Sequence, residues 1–177
     1  ILVLENIYVK RTAQFLILFV PFLLGFFNYP LAILGKDLAF LPGDLGDARF
    51  INYILEHGYQ YLTGHRDSFY NAPFFYPEQN VIALSDNMLG HLPIYAGFRL
   101  LNFSREDALQ MWWLVIFVLN YFVSFFCFYK YSKNLFASVL VSYLFTFSII
   151  NLVQVNYLQI NAKFLMPVVF LYYLQWI

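Results

Sequence analysis

Two carboxylates, Asp44 and Asp47, form the pair in this sequence that is best suited to catalysis. They stand in the segment GDLGDAR, residues 43–49, directly after a proline. Glycines let a chain turn sharply, so both side chains can face one cleft, where a carboxylate serves as a general base. The alternative is structural: Asp47 caps the helix that follows, and Asp44 belongs to a turn.

Cationic side chains near this pair could hold a phosphate group. Arg49 and Arg99 lie in the same acidic, aromatic stretch, and a guanidinium offers two parallel donors to a phosphate. Each could instead pair with a nearby carboxylate. Lys163 adjoins apolar segments, where it either contacts an anionic lipid-linked substrate or extends to the lipid headgroups.

Asp86 and His91 are the remaining candidates for a metal site. Together with Asp47 they could surround a divalent cation. No H-x-x-x-H or H-E-x-x-H spacing accompanies them, so the sequence does not support a metal cofactor. The single Cys127 excludes a disulfide framework and is interpreted as a small apolar packing residue.

The composition predicts an integral membrane protein. Apolar residues make up 62% of the 177 residues and charged residues only 11%, against roughly 25% charged in soluble domains. Apolar runs predict transmembrane helices at about 12–34, 108–129, 135–153 and 164–177. The last run meets the chain end, so we interpret the chain as the N-terminal part of a longer polytopic protein. The zero net charge gives no indication of nucleic-acid binding.

The charges predict which parts of the chain face water and on which side. All carboxylates except Glu5 fall between Asp37 and Asp107, which indicates one large hydrophilic loop, residues 35–107. Lysine and arginine before the first span and between the second and third indicate the cytoplasmic side. The N-terminus is then cytoplasmic and the loop extracytoplasmic.

Two amphipathic surface helices are expected within this loop. The first covers residues 47–62, with Asn52 and Glu56 on its polar face and Asp47 as its N-cap. The second starts at Ser85 or Asp86 and ends at Leu101. Between them, residues 71–77 contain two prolines and predict an extended segment.

Three loop segments carry a resemblance to a known family: GDLGDAR (43–49), NAPFFYP (71–77) and NVIALSDNMLG (80–90). They resemble bacterial multi-spanning membrane proteins that are similar to GT-C glycosyltransferases, which take sugars from polyprenyl-phosphate donors. The resemblance implies an all-α bundle with a large first outer loop. It also implies an acidic residue near the start of that loop that acts on the acceptor hydroxyl, with Asp47 the best match by position and Asp44 the second.

The resemblance extends to further residues and to the location of the protein. Asn71, Asp86 and His91 lie in or beside the matched segments and are expected to contribute to substrate binding. Gln159 keeps part of a Gly-His-x-Gln-like stretch typical of the group, although the histidine is missing. The expected location is the bacterial plasma membrane, with a lipid-linked sugar donor, membrane lipids and a glycan or lipid acceptor as partners. The alternatives are a membrane transporter and a non-enzymatic assembly protein.

Overall fold

The chain folds entirely into helices in the part that the structure describes. The computed structural model gives the backbone of residues 2–176 and the side chains of residues 11–151 and 153–176. No strand occurs in residues 2–176. The helices are α1 (Leu2–Asn28), α2 (Pro30–Leu34), α3 (Asp47–Leu62), α4 (Leu92–Leu100), α5 (Arg105–Ser132), α6 (Leu135–Phe147), α7 (Ile149–Val153), α8 (Leu158–Asn161) and α9 (Met166–Trp176). Short 3-10 turns cover Lys36–Leu38 and Val81–Leu84.

Two segments are long and apolar enough to cross a membrane, Arg11–Leu38 and Arg105–Ser132. They coincide with the first two predicted spans. Pro21 lies inside α1, whereas Pro30 lies in the first turn of α2. Backbone N–H groups in a first turn have no partner within the helix, so the proline costs α2 no hydrogen bond. Ser104 caps α5 by accepting a hydrogen bond from the Asp107 amide at 3.0 Å.

The third apolar run does not form one continuous helix. α6 has 13 residues and ends at Phe147, and Ser148 adopts an extended backbone before the five-residue α7. Asn151 stabilises this break, because its side-chain amide donates to the carbonyls of Phe145 and Thr146 at 3.1 and 2.8 Å. The residues up to 165 then form only the short α8, and α9 begins at Met166.

The large loop contains both expected helices, with one corrected boundary. α3 covers the predicted residues, but its N-cap is Gly46 and the Asp47 side chain makes no capping hydrogen bond. The prediction that the second helix starts at Ser85 or Asp86 is wrong, since α4 starts at Leu92. Met88 has a φ of 55°, and its carbonyl accepts the amides of His91 and Leu92 in a turn that a helix cannot include.

The core forms around the first half of α5. Trp112, Trp113, Phe117 and Tyr121 are fully buried. Trp113 donates to the Pro30 carbonyl of α2, Phe117 stacks on Phe147 of α6, and Tyr121 contacts the Phe22 ring of α1. The outward faces of the other helices stay apolar, with exposed large side chains on α1, α6 and α9: Phe15, Leu16, Leu24, Phe27, Phe136, Leu140, Leu144, Val169 and Phe170. The helices therefore bury one apolar surface and leave a second one uncovered.

Candidate functional site

A cavity of about 620 Å³ lies where the large loop meets the starts of α3 and α5. Its polar lining comes from five side chains: Asp44, Arg49, Asn52, Arg105 and Glu106. Residues 39–45 form one wall, the first turns of α3 a second and the start of α5 a third. The cavity thus brings together two carboxylates and two guanidinium groups in a volume typical of small-ligand sites.

The wall that carries Asp44 is held in place from both ends. Gln110 donates from Nε2 to the carbonyls of Leu38 and Phe40 at 2.7 and 2.8 Å, which fixes the segment to α5. Gly43 has a φ of +82°, and a Cβ there would lie 2.5 Å from the Cβ of Ala48. Only glycine fits this close approach, so the turn before Asp44 has a defined position.

Asp44 lines the cavity, whereas Asp47 does not. Asp44 accepts a hydrogen bond from the Gly46 amide at 3.0 Å and forms no ion pair with a described residue. Asp47 is exposed in the first turn of α3. Of the two carboxylates, Asp44 is therefore the one that lines the cavity.

The arginines of the cavity differ in how they are held. Arg49 is exposed and makes no hydrogen bond or ion pair with any described residue. Arg105 lies 3.5 Å from the Glu106 carboxylate, and both side chains are about half exposed. An exposed pair of this kind contributes little stability. Arg49 is therefore unpaired among the described residues, and Arg105 has only a weak, exposed pair that an incoming anion could replace.

A buried polar network, which sequence reasoning missed, supports the cavity from behind. Glu56 is 7% exposed and accepts hydrogen bonds from Tyr95 Oη at 2.8 Å and from Arg99 Nε and Nη2 at 2.9 and 3.1 Å. The prediction that Asn52 and Glu56 lie on a solvated face is wrong, because α4 covers that face. Of the two alternatives for Arg99, the structure has the ion pair.

The pKa values of this network follow from its burial. Burial raises the pKa of Tyr95, and the hydrogen bond to Glu56 adds to this effect. The hydrogen bond with Glu56 also raises the pKa of Arg99, against the opposing effect of burial. Tyr95 therefore stays a neutral donor and Arg99 a cation, as the paired Glu56 requires.

The same network reaches two of the three walls of the cavity, the one on α3 and the one at the start of α5. Tyr95 Oη lies 3.4 Å from Asn52 Oδ1 on α3 and 3.5 Å from the Arg105 carbonyl at the start of α5. Arg99 also donates to the Phe103 carbonyl, just before α5. The positions of Asn52 and Arg105 in the cavity therefore depend on a cluster that does not itself line it. Charged residues in both loop helices were the only sequence signal for it.

The other loop candidates lie outside the cavity. Asn71 Oδ1 accepts the Asn80 amide at 2.7 Å and so holds the loop together. Asp86 and His91 border a separate pocket of about 290 Å³. The His91 ring packs against Trp112 and Phe164, and burial lowers its pKa. Among the described side chains, no group of three His, Cys, Asp or Glu residues is arranged to hold a metal ion.

Gln159 and Lys163 lie on the broken segment between α6 and α9 and do not line the cavity. Lys163 donates from Nζ to Asn151 Oδ1 at 2.7 Å, and its ammonium lies 4.8 Å from the centre of the Phe145 ring. Gln159 Oε1 is buried without a hydrogen-bond partner. Lys163 and Asn151 thus form a second polar contact, distinct from the cavity.

Comparison with protein-family models, with curated proteins and with solved structures finds no match for this chain.

Proposed function

We propose that this chain belongs to a membrane glycosyltransferase that moves a sugar from a polyprenyl-phosphate donor to a glycan or lipid acceptor. The observation that carries the proposal is the convergence of Asp44, Arg49 and Arg105 on one cavity of about 620 Å³. This cavity opens where the large loop joins the long apolar segments Arg11–Leu38 and Arg105–Ser132. A lipid-linked donor needs such a position, with its chain in the bilayer and its sugar in water.

Four polar side chains of the cavity have a role in this reaction. Arg49 and Arg105 bind the donor phosphate, since guanidinium groups offer paired donors to phosphate oxygens. Asp44 accepts the proton of the acceptor hydroxyl as that oxygen attacks the sugar carbon and the phosphate leaves. Asp47, which the GT-C resemblance favours by position, is the second candidate for this base. Asn52 orients a substrate from the opposite wall.

The proposed location is the bacterial plasma membrane, with the cavity on the extracytoplasmic side. Large apolar side chains that stay exposed on α1, α6 and α9 support membrane embedding, because water disfavours so much uncovered apolar surface. Lys130 and Lys133 are exposed at the opposite end of α5 from the cavity. The positive-inside rule assigns that end to the cytoplasm.

The test is sugar transfer in membrane vesicles from a polyprenyl-phosphate sugar labelled in the sugar. Asp44→Asn keeps the shape of the side chain and removes the base, so transfer should fall at least about 100-fold. Asp47→Asn is the matched variant, because its side chain lies outside the cavity, and it should retain most of the activity. The reverse order would assign the base to Asp47, and full activity in both variants would contradict the proposal.

A transporter is the second candidate, favoured by one observation. Transporters place broken helices and ionisable groups at membrane depth, and α6 breaks at Ser148 next to the segment that carries Lys163. The same vesicles distinguish the two functions. Uptake of a labelled solute without sugar transfer would favour the transporter.

A further inference from the structure

The break between α6 and α9 brings a cation, Lys163, and two buried asparagines, Asn151 and Asn161, to a third buried asparagine, Asn120, near the middle of α5. Asn120 lies about 22 Å along α5 from Arg105 and about 18 Å from Ser132, at 1.5 Å per residue. It donates to the Asn161 carbonyl at 2.6 Å and accepts the Lys163 amide at 3.3 Å. The broken segment is thus attached to the centre of a helix that is long enough to span a bilayer.

The asparagines of this cluster are almost fully buried and mostly hold backbone groups. Asn120, Asn151 and Asn161 are 1, 2 and 1% exposed. Besides its contacts to α6, Asn151 provides its carbonyl to Tyr29 Oη at 2.7 Å, and Asn161 donates to the Gln154 carbonyl at 3.1 Å. These bonds satisfy non-helical backbone that would otherwise be costly in an apolar environment.

Lys163 is the unusual member of the cluster, because its charge has no counter-ion. It is partly buried, and its one hydrogen-bond acceptor is the neutral amide oxygen of Asn151. It forms no ion pair with a carboxylate of the described residues. A desolvated ammonium group is costly unless an anion compensates it. An anion from outside the chain would supply that compensation.

Two buried amide oxygens on the same segment lack a hydrogen-bond donor among the described residues. They are Asn161 Oδ1 and Gln159 Oε1. A halide or a carboxylate could neutralise Lys163 but would offer no hydrogen to these oxygens. A phosphate monoester in its singly protonated form carries both anionic oxygens and a hydroxyl donor. Its single hydroxyl can serve one acceptor, so the unpaired Lys163 and the unpartnered Asn161 Oδ1, two residues earlier in the chain, fit that group.

We propose that Lys163, Asn151 and Asn161 form a binding site for a phosphate monoester at this break, separate from the cavity that contains Asp44. The proposal rests on the membrane location proposed above and not on sugar transfer. The phosphate could be carried by a membrane lipid or be free in solution. Both sources present the same group to the same side chains.

The experiment measures binding by calorimetry with the full chain in detergent. One arm uses inorganic phosphate, and the other uses a short-chain phosphatidic acid, with short-chain phosphatidylcholine as the lipid control. We expect one equivalent to bind in at least one of the first two arms and none with phosphatidylcholine. Binding in both arms identifies the phosphate alone as the ligand, and binding only of phosphatidic acid identifies a lipid source.

Four variants test the assignment. Lys163→Gln should weaken binding about tenfold or more, as expected for the loss of a charge-assisted hydrogen bond, and Lys163→Arg should restore most of it. Asn151→Asp places a carboxylate where the amide oxygen lies 2.7 Å from the Lys163 ammonium. This internal anion should compete with the external one, so phosphate binding should weaken about as much as in Lys163→Gln. Lys133→Gln changes an exposed lysine elsewhere and should leave binding unchanged.

Two results would overturn the proposal. One is the absence of binding in the unmodified chain with either phosphate probe. The other is unchanged affinity in both Lys163→Gln and Asn151→Asp. Thermal unfolding in the same detergent identifies any variant that fails to fold. If one of the variants Lys163→Arg and Asn151→Asp fails to fold, the binding affinity of the other still tests the site. A loss of sugar transfer in Asp44→Asn would leave these binding results unaffected.

Discussion

Arg99 on α4 binds Glu56 on α3 with two hydrogen bonds, of 2.9 and 3.1 Å, and so joins the two helices of the large loop. The side chain of Arg99 is 22% exposed and that of Glu56 9%, so water screens the pair weakly. Tyr95 completes the arrangement from the buried side of α4. This connection fixes α3 relative to the start of α5, and the cavity lies between them.

We predict that Glu56→Gln destabilises the protein by about 2 to 3 kcal/mol, because it leaves a poorly solvated guanidinium without its anion. The measurement is denaturant unfolding of the solubilised protein. Glu106→Gln is the matched control, since its pair with Arg105 is about half exposed and should contribute less than about 1 kcal/mol. An equal loss of unfolding free energy in Glu56→Gln and Glu106→Gln would contradict the stabilising role of the Glu56 network.

Tyr95→Phe should weaken the function of the cavity more than the stability of the fold. The substitution removes the hydroxyl near Asn52 and Arg105 but leaves Glu56 paired with Arg99. We expect a several-fold loss in sugar transfer, measured in vesicles. In an Asn52→Ala background the further loss should be smaller, because the two groups act through one contact. Fully additive losses would show that Tyr95 does not act through Asn52.

Gly43→Ala should disturb the wall that carries Asp44. The new Cβ would lie 2.5 Å from the Ala48 Cβ, at a φ of +82° that alanine rarely adopts. We expect a loss of about 1 to 3 kcal/mol in unfolding free energy, measured by denaturant unfolding, together with reduced transfer. Gly97→Ala is the control, because nothing lies within 4 Å of its added Cβ on α4. It should be neutral or slightly stabilising.

His91 should make stability depend on pH in the acidic range. Burial lowers its pKa below the ordinary 6.5, so the unfolded chain binds a proton in a pH window where the folded chain does not. Stability contributed by neutral His91 is complete above about pH 6.5 and decreases as the pH falls towards the lowered folded pKa. Thermal unfolding from pH 7.5 to 5 should show this decrease, and His91→Gln should reduce it. An identical pH profile in His91→Gln would contradict the assignment.

The sequence predicted the elements with a strong periodic signal and missed those set by tertiary contacts. The bounds of α3 follow from apolar residues at helical spacing, and the structure has the same bounds. The break at Ser148 could not be predicted, because residues 135–153 contain no charged residue, proline or glycine that would mark a helix end. That break depends on Asn151 capping the end of α6, a contact that no periodicity reports.

The site was predicted in part for the same reason. Asp44 and Arg49 lie only five residues apart in the sequence, so their common location in the cavity was predictable. Arg105 and Glu106 join them only because α5 returns to the start of the loop, which is a long-range contact. Glu56 was interpreted as solvated because the helix that buries it follows about 35 residues later in the chain.

The most direct measurement of the central claim is the side of the membrane from which the cavity can be reached. In a Cys127→Ser background, Leu45→Cys places a thiol beside Asp44 at a position that is 79% exposed. Lys133→Cys places one in the exposed turn after α5. In intact cells without an outer membrane barrier, a membrane-impermeant maleimide should label position 45 and should label position 133 only after lysis. Labelling of position 133 but not position 45 in intact cells would contradict the proposed extracytoplasmic sugar transfer.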